Sequence, residues 1–222
     1  DDALHPLSAN PLERLNQELG TSILTKELAK FEGGQLLKLY LPIDSDTGDV
    51  AGQSGPTGAT GVDFGQMSER QIRALELPIE LTEKLVLYAG RKRFDNIPES
   101  GPAVIAYLKS NPLTLTPQEA NQIDYAVQGN HLRAAINSWN TQKSPDSPSF
   151  VELTPEQQTV LLSRTYHVGT KMPYSKLWKP FYSEALKGNW DNAANLLHNF
   201  PTKQRWYITR VQNEAKLLGY RK

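Results

Sequence analysis

Glu32, Thr57 and Asp63 are the residues of this chain whose types and surroundings suit proton chemistry. Glu32 closes a helical stretch and is followed at once by Gly33 and Gly34, a pair that stops a helix. A helix C-terminus carries partial negative charge, which disfavours an ionised carboxylate and raises its pKa. With Phe31 and Tyr40 close by in sequence, an apolar setting would keep Glu32 protonated near neutral pH, as a general acid requires. Thr57 follows 25 residues later and Asp63 six after that, within SGPTGATGVDFGQ. Glycines at 55, 58, 61 and 65 let a backbone lie flat beside an extended ligand. On composition alone the opposing reading stands beside this one: a glutamate after a helix is usually just solvated.

Other chemical signatures fail. His5, His131, His167 and His198 are scattered, with no HExxH and no paired spacing, so no metal site is expected. Gly52-Gln53-Ser54-Gly55-Pro56 misses the nucleophile elbow because Pro56 replaces its last glycine. The glycine-rich run spells neither a P-loop nor a dinucleotide fingerprint, and no cofactor is expected. Asp44, Asp46 and Asp49 read as a solvated acidic turn, since Gly48 and Asp49 are reversed relative to a calcium loop.

The elements that must hold these residues are mostly helical. Leu12, Leu15, Leu19, Ile23, Leu24 and Leu28 keep helical spacing from Pro11 to Phe31, with Gly20 able to divide the stretch in two. Six glycines between Gly48 and Gly65, flanked by Leu36–Leu41 and by Val62 and Phe64, mark the one expected β region, a small sheet or hairpin. Ser68 with Gln71, Thr116 with Glu119 and Thr154 with Gln157 are capping boxes. Pro117 and Pro155 take the first helical position in the last two. Helices are expected near 80–90, 102–109, 116–139, 155–168, 175–186, 190–198 and 203–218, with Gly169 and Gly219 as stops. The fold class is α+β, with a small β-containing N-terminal lobe and a large helical C-terminal lobe.

Composition narrows the partners. The 222 residues hold 24 Lys+Arg against 24 Asp+Glu, so no basic surplus favours nucleic acid or an anionic membrane. No cysteine is present, which excludes disulfides and thiolate metal sites. No stretch approaches 18 apolar residues, so no membrane insertion is expected. The start, DDALHPLSAN, has neither Met nor a signal segment and reads as part of a longer chain.

At the chemical residues the sequence resembles the catalytic lobe of phage-type lysozymes. Phe31-Glu32-Gly33-Gly34, then Leu37 and Tyr40, then Thr57-Gly58-Ala59-Thr60-Gly61, follow that family's helix, hairpin and TxGxG-like order. Thr57 and Asp63 within SGPTGATGVDFGQ are most similar to the lysozyme domain of pesticin and related toxin or effector muramidases. Tyr40 is followed by Leu41-Pro42 in place of Lys-Asp, so the usual hairpin aspartate is missing or displaced to Asp44, and the pesticin-like pattern points to Asp63. Leu153–Gly169 resembles the long helix of the large lobe, Lys187–Ala194 its G-x-W-x-x-A-A segment, and Arg205–Leu218 its closing helix. The resemblance covers residues 25–222, leaving 1–24 as a lead or linker from an upstream region.

That resemblance implies a lysozyme-like fold and a muramidase cleaving the β-1,4 bond between N-acetylmuramic acid and N-acetylglucosamine, with inversion. Glu32 would be the general acid, Asp63 the carboxylate and Thr57 the holder of the water. Tyr40, Gly61, Ser54 and His167 would bind peptidoglycan glycan strands. The implied protein is a monomer, made in a bacterial cytoplasm and delivered to the periplasm of a target cell, with a possible immunity protein as partner. Two rivals remain: a non-catalytic peptidoglycan-binding module, and a nucleic-acid-binding helix carrying Lys203, Arg205, Arg210, Lys216, Arg221 and Lys222. The tryptophans Trp139, Trp178, Trp190 and Trp206 sit on amphipathic helices and are expected in the core.

Overall fold

Gly20 does divide the first helical stretch. In the computed structural model, which describes residues 10–222, α1 (Pro11–Leu19) gives way to a linker before α2 (Thr25–Glu32). Residues 1–9, with His5 and the first part of the expected lead, lie outside the described residues. The linker is tied to a later helix: the Ser22 N–H donates to Gln158 Oε1 and the Leu24 N–H to Thr159 Oγ1, each at 2.8 Å. Gly33 then takes φ +82°, a left-handed conformation that costs glycine little and ends α2 at Glu32.

The sheet is small and antiparallel, in the order β1 (Leu36–Tyr40), β2 (Thr57–Ala59), β3 (Val62–Asp63). The expected β region therefore narrows. Residues 48–56 form an irregular loop with a single bridge between Ile43 and Val50, because Gly48 and Gly52 hold positive φ and interrupt extension. On the far side of β1, Leu39 N–H donates to Leu113 O and Leu115 N–H to Leu37 O, so both edges of β1 are bonded.

The remaining helices are α3 (Glu69–Arg73), α4 (Ile79–Val86), α5 (Ser100–Ser110), α6 (Pro117–Gln142), α7 (Pro155–Val168), α8 (Lys179–Leu186), α9 (Trp190–His198) and α10 (Arg205–Leu217). All three capping boxes form, at the starts of α3, α6 and α7. Gly169 (φ +68°) and Gly219 (φ +96°) mark the expected stops. The helix expected from 175 begins only at Lys179, with Pro180 in its first turn, where no N–H is needed.

The fold is α+β and lysozyme-like, and the chain divides into two compact units. The first comprises residues 32–128 together with Asn10 and Pro11; its core joins Leu39, Ala59, Val62 and Phe64 of the sheet region to Ile72, Leu81, Leu85, Leu115 and Ile123. The second comprises residues 12–31 and 129–222, where Leu15, Leu28, Trp139, Leu162, Ala193 and Val211 are buried. Within it α9 packs on α8 and α10, and α7 on α10. Trp139 and Trp178 are buried, whereas Trp206 is 59 % exposed, against expectation: it lies in the first turn of α10.

Candidate active site

Register brings three of the expected site residues into one row. Tyr40 of β1 is the partner of Thr57 of β2, and Thr57 is the partner of Asp63 of β3. Directly opposed residues of antiparallel strands project on the same face, with Cβ atoms about 4.5–5.5 Å apart. Tyr40, Thr57 and Asp63 therefore share a face. The Tyr40 hydroxyl registers it: burial first, then the Asp63 charge, raises its pKa above the ordinary tyrosine value.

Asp63 is half-buried and well held. Its carboxylate accepts from the Gly55 N–H at 3.1–3.2 Å, from the Gln66 N–H at 3.3 Å and from Gln66 Nε2 at 3.2 Å. It thus caps the 3₁₀ turn Phe64–Gln66 as well as sitting in the row. Thr57 is 4 % exposed, and its hydroxyl donates to Gly55 O at 2.9 Å. The hydroxyl proton is thereby committed, and the oxygen keeps acceptor capacity for a further donor.

Backbone packing sets this geometry. A Cβ on Gly55 would lie 2.6 Å from Gly65 Cα and 2.3 Å from Arg91 O, and a Cβ on Gly65 meets the same obstruction. Only two glycines allow the chain to cross itself here. The preceding loop is laced to one basic residue: Arg93 Nε contacts Asp49 Oδ2 at 3.2 Å, Arg93 Nη1 contacts Asp95 Oδ1 at 2.7 Å, and the Arg93 N–H donates to Ser54 O at 3.1 Å. Ser54 thus enters the site region through its backbone. Gly61 stands in the turn between β2 and β3 at φ +68°.

Glu32 is the last residue of α2, half-buried, with Gly33, Gly34 and Gln35 leading into β1. It belongs to the same unit as Tyr40, Thr57 and Asp63. Phe31, one residue earlier, has its carbonyl held by Arg210 Nη1 at 2.7 Å. Arg210 in turn contacts Glu214 at 3.1 Å and Ser163 Oγ at 2.8 Å, and Glu214 also pairs with Arg164. Ser163, Arg164 and Glu214 are fully buried and Arg210 nearly so, which removes Arg210 from the basic face of the nucleic-acid rival.

His167 falls in the second unit and is not part of the row. It lines a cleft of about 710 Å³ with Lys171, Tyr174, Leu177, Trp178 and Tyr207. His167 is exposed, and its ring lies 6.1 and 5.8 Å, between centroids, from those of Trp206 and Tyr207. Partial desolvation by its neighbours, then the charges of Arg210 and Arg164, push its pKa down to about 3.

Asp44 lies in an exposed turn, its Oδ1 accepting from the N–H groups of Asp46 and Thr47 at 2.8 and 3.2 Å. Among the described residues no group of three or more His, Asp or Glu could hold a metal ion, and no helix is long and apolar enough to cross a membrane. Asp124 of α6, which belongs to no sequence motif, is 2 % exposed and accepts from Gln35 and from both the N–H and the hydroxyl of Thr60. An aspartate on the apolar stripe beside Ile123 and Val127 was the available signal.

The family model for pesticin, described as a bacterial toxin homologue of phage lysozyme, C-terminal part, matches residues 18–191. The match takes in Glu32, Thr57 and Asp63 and stops before α10. No curated protein matches the chain.

Proposed function

Since the chain belongs to the pesticin family of bacterial toxin homologues of phage lysozyme, we propose that it is a muramidase acting from Glu32, Asp63 and Thr57. The family supports a lysozyme-type peptidoglycan hydrolase. The single observation that carries the finer reading is the transverse row Tyr40–Thr57–Asp63, set in the same unit as Glu32 at the end of α2.

Hydrolysis of a glycosidic bond calls for two carboxyl groups on either side of the scissile oxygen. In this reading the Glu32 carboxyl gives its proton to the oxygen leaving C1 of N-acetylmuramic acid. A water between Thr57 and Asp63 gives one proton to Asp63 as its oxygen bonds to C1. The Thr57 hydroxyl, having donated its own proton to Gly55 O, can only accept from that water. Both water protons are then directed at protein oxygens, which leaves a lone pair free to attack C1. Attack from the face opposite the leaving group inverts the anomeric centre. Tyr40, at 36 % exposure beside Asp63, offers a ring face to a sugar, and Gly61 and Ser54 of the same unit complete the proposed glycan contacts there.

The same reading makes this the toxic domain of an antibacterial toxin or effector that acts in the periplasm of a target cell, with residues 1–24 as its lead and an immunity protein protecting the producer. Digestion of purified peptidoglycan followed by mass spectrometry tests the bond. Muropeptides with reducing N-acetylmuramic acid ends are expected; reducing N-acetylglucosamine ends would make it a glucosaminidase. Sedimentation with the wall and no new reducing ends would favour the binding module.

A further inference from the structure

Asp124 does nothing in the chemistry above, yet its surroundings are those of a working part. It sits on α6, 2 % exposed, and gathers three donors from two separate stretches of the first unit. Thr60 N–H reaches Oδ1 at 2.9 Å, the Thr60 hydroxyl reaches Oδ2 at 2.7 Å, and Gln35 Nε2 reaches Oδ2 at 2.8 Å. The same Gln35 nitrogen also contacts Asn121 Oδ1 at 3.0 Å, one turn earlier on α6.

Both stretches belong to the proposed site. Thr60 is in the turn joining β2 to β3, three residues from Thr57 on one side and three from Asp63 on the other. That turn is strained, since Ala59 is held at φ +50° although it carries a Cβ. Gln35 is three residues beyond Glu32, across Gly33 and Gly34. Two glycines give that link little stiffness of its own. A single buried carboxylate thus fixes the turn end of the hairpin and the far side of the glycine link.

Such an arrangement is costly unless it has a use. Burial raises the Asp124 pKa despite the bonds from Gln35 and Thr60, so the fold keeps a carboxylate where an apolar side chain would pack without that penalty. Leu115, Ala120 and Ile123, close by in sequence, are such apolar residues.

We propose that Asp124 is the positioning residue of the active site, holding the Thr60 turn and Gln35 so that Thr57 and Asp63 stand in fixed geometry to Glu32. This rests on the muramidase reading for its catalytic consequence and on the hydrogen bonds alone for its structural one. A positioning role loses turnover and spares binding, because a small misplacement of reacting groups is felt in the transition state.

The test compares Asp124→Ala and Asp124→Asn with wild type on purified peptidoglycan, at a temperature where all three are folded by thermal melt. Asp124→Ala is expected to lower kcat about 30- to 100-fold with KM within threefold. Asp124→Asn keeps an acceptor for the Thr60 N–H, and the Thr60 hydroxyl can turn to accept, so kcat should return to within tenfold of wild type. If Asp124→Ala does not fold, Thr60→Val takes its place, with a several-fold loss of kcat at unchanged KM. Full kcat in the folded variant, or a loss confined to KM, overturns the proposal. Amide hydrogen exchange supplies a readout independent of activity. Asp124→Ala should lose protection at residues 35–36 and 57–63 while α4 keeps it; unchanged exchange at those residues overturns the proposal. If wild type cleaves nothing, the muramidase reading fails, and exchange alone decides whether Asp124 clamps the two stretches.

Discussion

Thr57 and Asp63 are register partners across the β2–β3 hairpin, and each also binds Gly55, Thr57 through its hydroxyl to the carbonyl and Asp63 through its carboxylate to the N–H. One residue thus aligns both groups that the proposed water would touch. Asp63→Asn keeps the helix-capping oxygen but cannot take a proton from water, so kcat should fall about 10²- to 10⁴-fold with a nearly unchanged melt. Asp44→Asn, in its exposed turn, should retain wild-type turnover. Steady-state rates of the two variants side by side decide between the carboxylates.

The crossing of Gly55 and Gly65 leaves no room for a methyl group on either. Backbone lies on both sides of the contact, so it cannot be relieved by rotating a side chain. Gly65→Ala should lower the urea midpoint by the equivalent of about 1–3 kcal/mol, the range for overpacking, and should cost activity through the displaced hairpin. A midpoint equal to wild type would show that the crossing is looser than described.

The pair Arg164–Glu214 is fully buried, with Arg210 and Ser163 on the same carboxylate. Removing one partner of a buried pair leaves a charge without compensation and costs about 3–5 kcal/mol. Glu214→Gln should therefore be among the more destabilising single changes in the second unit, read as a drop in urea midpoint. It should also loosen Arg210, whose Nη1 holds the Phe31 carbonyl beside Glu32.

Acid sensitivity follows from two histidines. Burial lowers the His131 pKa, and His167 is brought down to about 3. Below about pH 6.5 the unfolded chain takes up protons that the folded chain refuses, so stability falls as pH drops from there toward the folded values. Because His167 is exposed, its share is screened. Melts between pH 7.5 and 4 should show a decline, shallower in His131→Gln and His167→Gln than in wild type. Parallel curves for all three would contradict the assignment.

The helical frame was legible because local chemistry dictates it: Ser68, Thr116 and Thr154 cap their helices with partners three residues away. The members of the row Tyr40–Thr57–Asp63 are legible in the sequence but their alignment is not, since register depends on pairing over 17 residues between Tyr40 and Thr57 and spacing does not encode it. Asp124 is silent in the sequence for the same reason, its donors lying 64 and 89 residues away. Trp206 was expected in the core because an amphipathic pattern does not say which positions the first turn of a helix leaves uncovered. His167 entered as a site residue through resemblance and lies in the unit that does not contain the row.

Whether Glu32 is the proton donor is decided by Glu32→Gln. The amide keeps the shape of the side chain and removes the proton that the leaving oxygen must receive. Release of reducing ends from purified peptidoglycan should fall at least about 10²-fold while the melting temperature stays near that of wild type. Wild-type release from a folded Glu32→Gln protein would contradict the account.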